Sequence, residues 1–216
     1  MYFLRSTKDS CIKLIRNSAK LENESVLLGD FKVDSEERLS VFSGKDLENN
    51  NKELAALAFI LCSPTSVLGK YCFIVFDAGI LDKKNIEYDS SDCDTCFDML
   101  GEKLHYNILG LKTDKLVSFF ESLKDYFKDK KETEYVYSIK KDETKELLRW
   151  ACRHKRILVT KIKGDPLDEL AELCRESNIE YPELIEKYDK QYNFEKERIE
   201  KRYLKIHPEK IVTEPV

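Results

Sequence analysis

The run YCFIVF, from Tyr71 to Phe76, limits the folds available to this chain more than any other segment. Its six residues are aromatic, β-branched or otherwise apolar, without the alternation of a strand that has one wet face. This pattern predicts a strand that is buried on both faces. The preceding segment, ELAALAFILC, is apolar nearly all round and predicts a helix in the same core.

A second apolar run, RILVTKI, is rich in β-branched residues and predicts another core strand over residues 156–162. Met1 to Leu4 indicates a short edge strand. Apolar positions at helical spacing elsewhere predict helices that cover the sheet. We therefore expect an α/β or α+β fold, with a mixed sheet whose core strands lie near 71–76 and 156–162, covered by about six helices.

The segment KDKKETE, residues 128–134, contains no apolar side chain and predicts a surface loop or linker. A division there gives an N-terminal α/β part over residues 1–130. Residues 131–216 then form a C-terminal β-α-β-α-β-like part that ends in a long helix. A single domain is the alternative that the length of 216 residues equally allows.

Composition restricts the class of protein. A net charge of −4 excludes a chain that is basic throughout, so any surface that binds phosphates must be local. Seven cysteines, an odd number, indicate reduced thiols and a cytoplasmic or nuclear protein. The start MYFLRSTKDS lacks the apolar segment of a secretory leader, and no apolar run is long enough to span a bilayer. We expect no membrane association.

One local concentration of positive charge stands out. Nine basic residues against three acidic ones give residues 140–163 a charge of +6. A helix there places a Lys/Arg ladder at i, i+4 spacing, with an indole at its margin. Such a surface suits phosphate contacts and base stacking. A merely solvated amphipathic helix is the alternative. The predicted nucleic-acid-binding residues are Lys141, Lys145, Arg149, Trp150, Arg153 and Arg156.

The leading functional hypothesis is a non-catalytic RNA-associated or assembly protein, which binds RNA or another phosphate-rich ligand through the basic helix near 141–156. A second hypothesis is a metal-dependent nuclease or phosphotransfer enzyme that uses Asp77 and Asp165, because strand ends line ligand crevices in open α/β sheets. The alternative for Asp165 is an N-cap, with Pro166 as the first residue of the helix that follows.

A third hypothesis is a protein-interaction subunit that docks through its C-terminal helix. Pro182 suits the first turn of that helix, and residues 183–206 carry an apolar stripe between alternating charges. No cofactor motif is present. Cys93 and Cys96 have the CxxC spacing of half a zinc site or a redox pair, and also of ordinary cap and core thiols.

Overall fold

The computed structural model describes residues 1–8, 12–13, 15, 31, 33–44, 51–63, 65–92, 95–100 and 104–206. Six strands form one sheet in the order β4-β5-β2-β1-β3-β6, and every pairing is antiparallel. The strands are β1 (Tyr2–Ser6), β2 (Leu39–Gly44), β3 (Tyr71–Asp77), β4 (Tyr88–Ser90), β5 (His105–Ile108) and β6 (Val136–Ile139).

Seven helices accompany the sheet in this part of the chain. With an antiparallel rather than a mixed sheet, the fold is α+β, one of the two predicted classes. The helices are α1 (Asn51–Ile60), α2 (Gly79–Asp82), α3 (Thr113–Lys128), α4 (Glu132–Tyr135), α5 (Lys141–Arg153), α6 (Asp165–Glu176) and α7 (Pro182–Ile206).

The predicted central strand is confirmed as β3, and its side chains divide the core in two. Phe73 and Val75 belong to a cluster shared with α1, α5 and α6. Ile74 and Phe76 point to the opposite face and pack in a cluster with α3. Because both faces are covered by helices, this strand has no wet side, which explains why its sequence does not alternate.

β1 is not the edge strand that its sequence indicates. It pairs with β3 from Tyr2↔Asp77 to Ser6↔Phe73 and with β2 on its other side. Phe3 and Leu4 are both fully buried, each in a different cluster. A short apolar run, Met1 to Leu4, with a polar end resembles an edge strand. The burial comes from neighbours that lie far away in sequence.

The prediction of a second core strand over residues 156–162 is wrong. Only Ile157 forms a bridge, with Phe97, and the next residues turn. Side chains take the place of a strand partner: Tyr181 Oη donates to the Ile157 carbonyl at 2.7 Å, and Lys187 Nζ donates to the carbonyls of Val159 and Thr160. Ile157 and Ile162 are buried in this turn, so burial, not an extended backbone, accounts for the apolar residues at these two positions.

β6 pairs with β3 from Tyr71↔Ile139 to Ile74↔Val136. The sheet therefore crosses the position near residue 130 where the sequence predicts a division. The buried cluster around Phe73 also takes members from both sides of that position, including Leu57 and Leu170. The division into two domains stays a prediction. If the two parts fold independently, each part must do so without the sheet and core contacts that they share here.

Candidate nucleic-acid interface

α5, the helix that carries the basic ladder, packs on α1 and α6. Its buried side chains are Thr144, Leu148, Ala151 and Cys152. Thr144 Oγ1 also donates a hydrogen bond of 2.9 Å to the Gly69 carbonyl, which ties the start of the helix to the loop before β3. The orientation of α5 is thus set by the core.

The four ladder residues do not share one face of α5. Each step of four residues rotates about 40° around a helix, so three steps accumulate about 120°. Lys145 and Arg149 are consequently half-buried, whereas Lys141 and Arg153 are exposed. Three carboxylates, those of Asp142, Glu143 and Glu146, are also exposed. The exposed cations of this helix therefore lie at its two ends, and two of the exposed carboxylates lie beside Lys141 at the N-terminal end.

Arg149 is held by internal partners. Its Nε donates to Ser177 Oγ at 2.8 Å, and its NH1 forms an ion pair with Glu146. Ser177 is the residue that ends α6. The Arg149 guanidinium therefore links α5 to the end of α6, and its side chain is only 23% exposed. A structural role accounts for this residue.

The cluster at the C-terminal end of α5, here called the Trp150 patch, comprises Trp150, Arg153, His154, Lys155 and Arg156. The Trp150 side chain is 36% exposed. Its ring centroid lies 4.7 Å from that of His154, with 43° between the planes. Arg153, His154 and Lys155 are exposed. Cations are also favoured at this end because the helix dipole is negative there.

Arg156 connects the patch to the rest of the fold. Its guanidinium carbon lies 6.0 Å from the Trp150 ring centroid and 4.8 Å from that of Phe97. Its Nε donates to the Asp98 carbonyl at 2.7 Å. Lys155 adopts a positive φ of 52°, and this turn brings Arg156 back beneath the indole. The half-buried Arg156 therefore fixes one side of the aromatic ring.

The structure gathers three of the six predicted residues, Trp150, Arg153 and Arg156, in the Trp150 patch. Lys141 lies at the opposite end of α5, with the half-buried Lys145 and Arg149 between. His154 and Lys155 were not among the predicted residues. The sequence RHKR at 153–156 signals them, because a basic run at the end of a helix remains near the solvent-exposed terminus.

The two carboxylates of the enzyme hypothesis each have a local role. Asp77 Oδ1 accepts the Gly79 N–H at 2.7 Å, which forms the turn after β3. Asp165 is exposed and is the first residue of α6. The N-cap is Gly164, whose φ is 64°, so the predicted N-cap role of Asp165 is wrong. Among the residues that the structure describes, no group of three or more His, Cys, Asp and Glu side chains is arranged to hold a metal ion.

The predicted CxxC pair, Cys93 and Cys96, has only one member among the described residues. Cys93 lies outside the described residues. The described cysteines form no disulfide, and Cys152 and Cys174 are both buried between α5 and α6. A hydrogen bond with the Cys174 thiol, together with burial, raises the pKa of Cys152. Cys152 therefore stays protonated and packs as a small apolar side chain.

His105 is a buried titratable group in β5. Its Nδ1 lies 2.7 Å from Ser91 Oγ, and burial lowers the pKa of the ring. The unfolded chain binds a proton at this site below about pH 6.5 more readily than the folded protein. The free energy of unfolding should therefore fall as the pH drops below that value, by at most about 1.4 kcal/mol per pH unit for one histidine.

Urea unfolding of the wild type and His105→Gln from pH 7.5 to 5 measures this effect. We expect the variant to lose less stability than the wild type across that range, because glutamine does not titrate. Parallel pH profiles for the two proteins would show that His105 protonates equally well in the folded and unfolded states.

α7 has a packed half and a projecting half. Leu184 is buried, and Lys187 bonds to the loop at residues 159–160. Three apolar side chains farther along are largely exposed: Tyr192 at 58%, Phe194 at 65% and Ile199 at 64%. The contact with a protein partner through residues 183–206 stays a prediction, and these three side chains are the ones it would cover.

No protein-family model, curated protein or solved structure matches this chain. No helix in the described part of the chain is long and apolar enough to cross a membrane. The fold and the surface chemistry therefore define the class: an α+β protein in which a helix packed on two other helices carries exposed cations at both ends and an exposed indole at one.

Proposed function

We propose that the protein binds single-stranded RNA through the Trp150 patch without catalysing a reaction on it. The observation that supports this proposal is the partly exposed Trp150 ring, which lies beside His154 and among three cations, Arg153, Lys155 and Arg156. Proteins that bind single strands combine these two features, because aromatic faces stack on bases while cations contact phosphates.

The energetics fit such a role. Stacking of one base on an aromatic side chain contributes about 1–3 kcal/mol. The nearby Asp98 carboxylate accepts the Leu100 N–H at 2.9 Å, so this acidic group is already engaged. Arg156 is fixed by its bond to the Asp98 carbonyl, and Trp150 contacts both Arg156 and His154. Trp150 and Arg156 therefore lose little side-chain freedom when a base binds.

The alternative is a solvated helix end with no ligand. A net charge of −4 for the chain opposes RNA at long range, so we expect binding that is weak and strongly dependent on salt. A solvated end needs no exposed indole, however, and Trp150 is the only tryptophan in the sequence. Its exposure carries a cost that binding to a base would remove.

The fluorescence of this single tryptophan gives a direct test. Titration with a short single-stranded RNA should quench the emission of Trp150, because the base stacks on the reporting ring. In fluorescence anisotropy with labelled RNA, Trp150→Ala should weaken binding by about tenfold, which corresponds to roughly 1.4 kcal/mol. Arg153→Gln should weaken binding and lower the slope of log K against log[salt] by about 0.7.

The controls separate stacking from folding. Trp150→Phe keeps an aromatic face and should retain most of the affinity. Tyr192→Ala removes an exposed aromatic residue from α7 and should change nothing. Arg149 is left intact, because its loss would disturb the contact between α5 and α6. Binding that is unaffected by Trp150→Ala, with an unchanged unfolding midpoint, would contradict the proposal.

A further inference from the structure

A groove of about 740 Å³ lies at the other end of α5. Its described lining comes from three parts of the chain: Thr7 and Lys8 after β1, Lys70 to Cys72 at the start of β3, and Ser138 to Asp142, from the end of β6 into α5. Because β1, β3 and β6 are neighbours in the sheet, their adjacent ends form the wall of the groove. The Thr7 N–H donates to the Cys72 carbonyl at 2.9 Å and closes this wall.

The groove is strongly positive. Among the described residues that line it, four are lysines, Lys8, Lys70, Lys140 and Lys141, and one is a carboxylate, that of Asp142. Lys70, Lys140 and Lys141 are exposed at its rim. Like charges gathered in one concave surface raise its potential and attract anions. The sheet thus gathers several lysines in one groove, in a chain whose net charge is −4.

The groove also has the size and the fixed walls of a ligand site. Its volume lies within the range of roughly 300–1,000 Å³ that small-molecule sites occupy. Tyr71, one wall, donates its hydroxyl to the Val67 carbonyl at 3.2 Å and so has a set orientation. The Tyr71 ring packs beside Phe73, with ring centroids 6.4 Å apart. The Ser138 hydroxyl, on the same surface, donates to Cys72 Sγ at 3.5 Å, which links β6 to β3 beside the groove.

We propose that this groove binds a small anionic ligand with two or more linked phosphate groups, such as a diphosphate or triphosphate. A single phosphate carries at most two charges and contacts few lysines at once. Linked phosphates match several lysines spread along a groove, and ammonium groups bind them as point charges. The site is separate from the Trp150 patch, because Lys141 and Arg153 are twelve residues, about 18 Å, apart along α5.

Isothermal titration calorimetry of the full chain with inorganic tripolyphosphate, at low ionic strength, tests the proposal. The double variant Lys70→Gln/Lys141→Gln removes two lysines from the groove and should raise the Kd by roughly tenfold or more, since two charge-assisted contacts are lost. The control Lys83→Gln/Lys84→Gln makes the same change in net charge at exposed lysines outside the groove. Its Kd should change less than twofold.

Two further ligands identify what the groove takes. Inorganic phosphate should bind more weakly than tripolyphosphate, because it reaches fewer lysines. The Trp150→Ala variant should bind tripolyphosphate like the wild type, so a failure of the RNA proposal leaves this result intact. An equal loss of affinity in the groove and control variants would overturn the proposal. So would a groove variant whose affinity falls for a single-stranded RNA but not for tripolyphosphate.

The unfolding temperature shows whether the groove variant Lys70→Gln/Lys141→Gln still folds. Without ligand, Lys70→Gln/Lys141→Gln should unfold at the same temperature as the wild type or above it, because the repulsion between the lysines is relieved. The charge-retaining pair Lys70→Arg/Lys141→Arg should keep tripolyphosphate binding within about threefold, since electrostatic attraction to phosphate survives the exchange. Loss of binding in this arginine pair would overturn attraction by charge as the basis of the site.

Discussion

Glu169→Ala is expected to lower the free energy of unfolding by about 2–3 kcal/mol, because it leaves two partly buried backbone N–H groups without their acceptor. The Glu169 carboxylate accepts three hydrogen bonds from the loop before β3: Ser66 Oγ at 2.6 Å, the Val67 N–H at 2.6 Å and the Leu68 N–H at 3.1 Å. Val67 is fully buried. Water therefore cannot easily replace the lost carboxylate at its N–H.

Urea unfolding at constant pH measures the loss. Glu169→Gln keeps one acceptor oxygen and should cost less than the alanine variant. Glu172→Ala, an exposed glutamate on the same helix, should change stability by no more than about 0.5 kcal/mol. If Glu169→Ala and Glu172→Ala were equally stable, the loop would be held by its apolar contacts alone.

Glu169 also bears on the groove, because the loop that it holds continues into Lys70 and Tyr71. Without the Glu169 carboxylate the loop should be looser, and Lys70 and the Tyr71 ring should then separate. We therefore expect Glu169→Ala to weaken tripolyphosphate binding, although the substitution removes a negative charge. Nothing in the sequence signals this contact. Glu169 has the pattern of a solvated residue on an amphipathic helix, and its partners lie about a hundred positions earlier in the chain.

Local pattern predicted the elements well where one physical cause dominates. Burial on both faces makes YCFIVF apolar throughout, and the strand is where the sequence places it. In RILVTKI the same apolar composition has another cause. Ile157 and Ile162 are buried in a turn whose carbonyls are satisfied by Tyr181 and Lys187. Composition cannot separate these cases, since both need apolar side chains.

The candidate sites show the same division. The basic run that ends α5 lies in consecutive residues, so the sequence alone indicates a charged helix end beside Trp150. The lysine groove cannot be predicted from neighbouring residues in the sequence. Lys8, Lys70 and Lys140 become neighbours only because β1, β3 and β6 are adjacent in the sheet. Strand order depends on contacts across the whole chain and is not encoded by any short motif.

Phe3→Ala is expected to have the largest effect of the substitutions considered, a loss of about 3–5 kcal/mol, because it opens a cavity in the middle of the sheet. Phe3 is fully buried on β1. Its ring centroid lies 5.9 Å from that of Phe76, 5.2 Å from Tyr88 and 5.4 Å from Tyr106. The ring therefore joins β3 to β4 and β5 across one face.

Urea unfolding followed by circular dichroism measures the loss of stability. The slope of the unfolding free energy against urea concentration, the m-value, should stay the same, which would show that the substitution leaves the surface exposed on unfolding unchanged. The matched control is Phe194→Ala, which removes the same side chain from the projecting half of α7, where it is 65% exposed. That change should stay within about 0.5 kcal/mol. A loss of stability below about 1 kcal/mol for Phe3→Ala would contradict the burial of Phe3 in a closely packed core. It would also contradict the position of β1 inside the sheet.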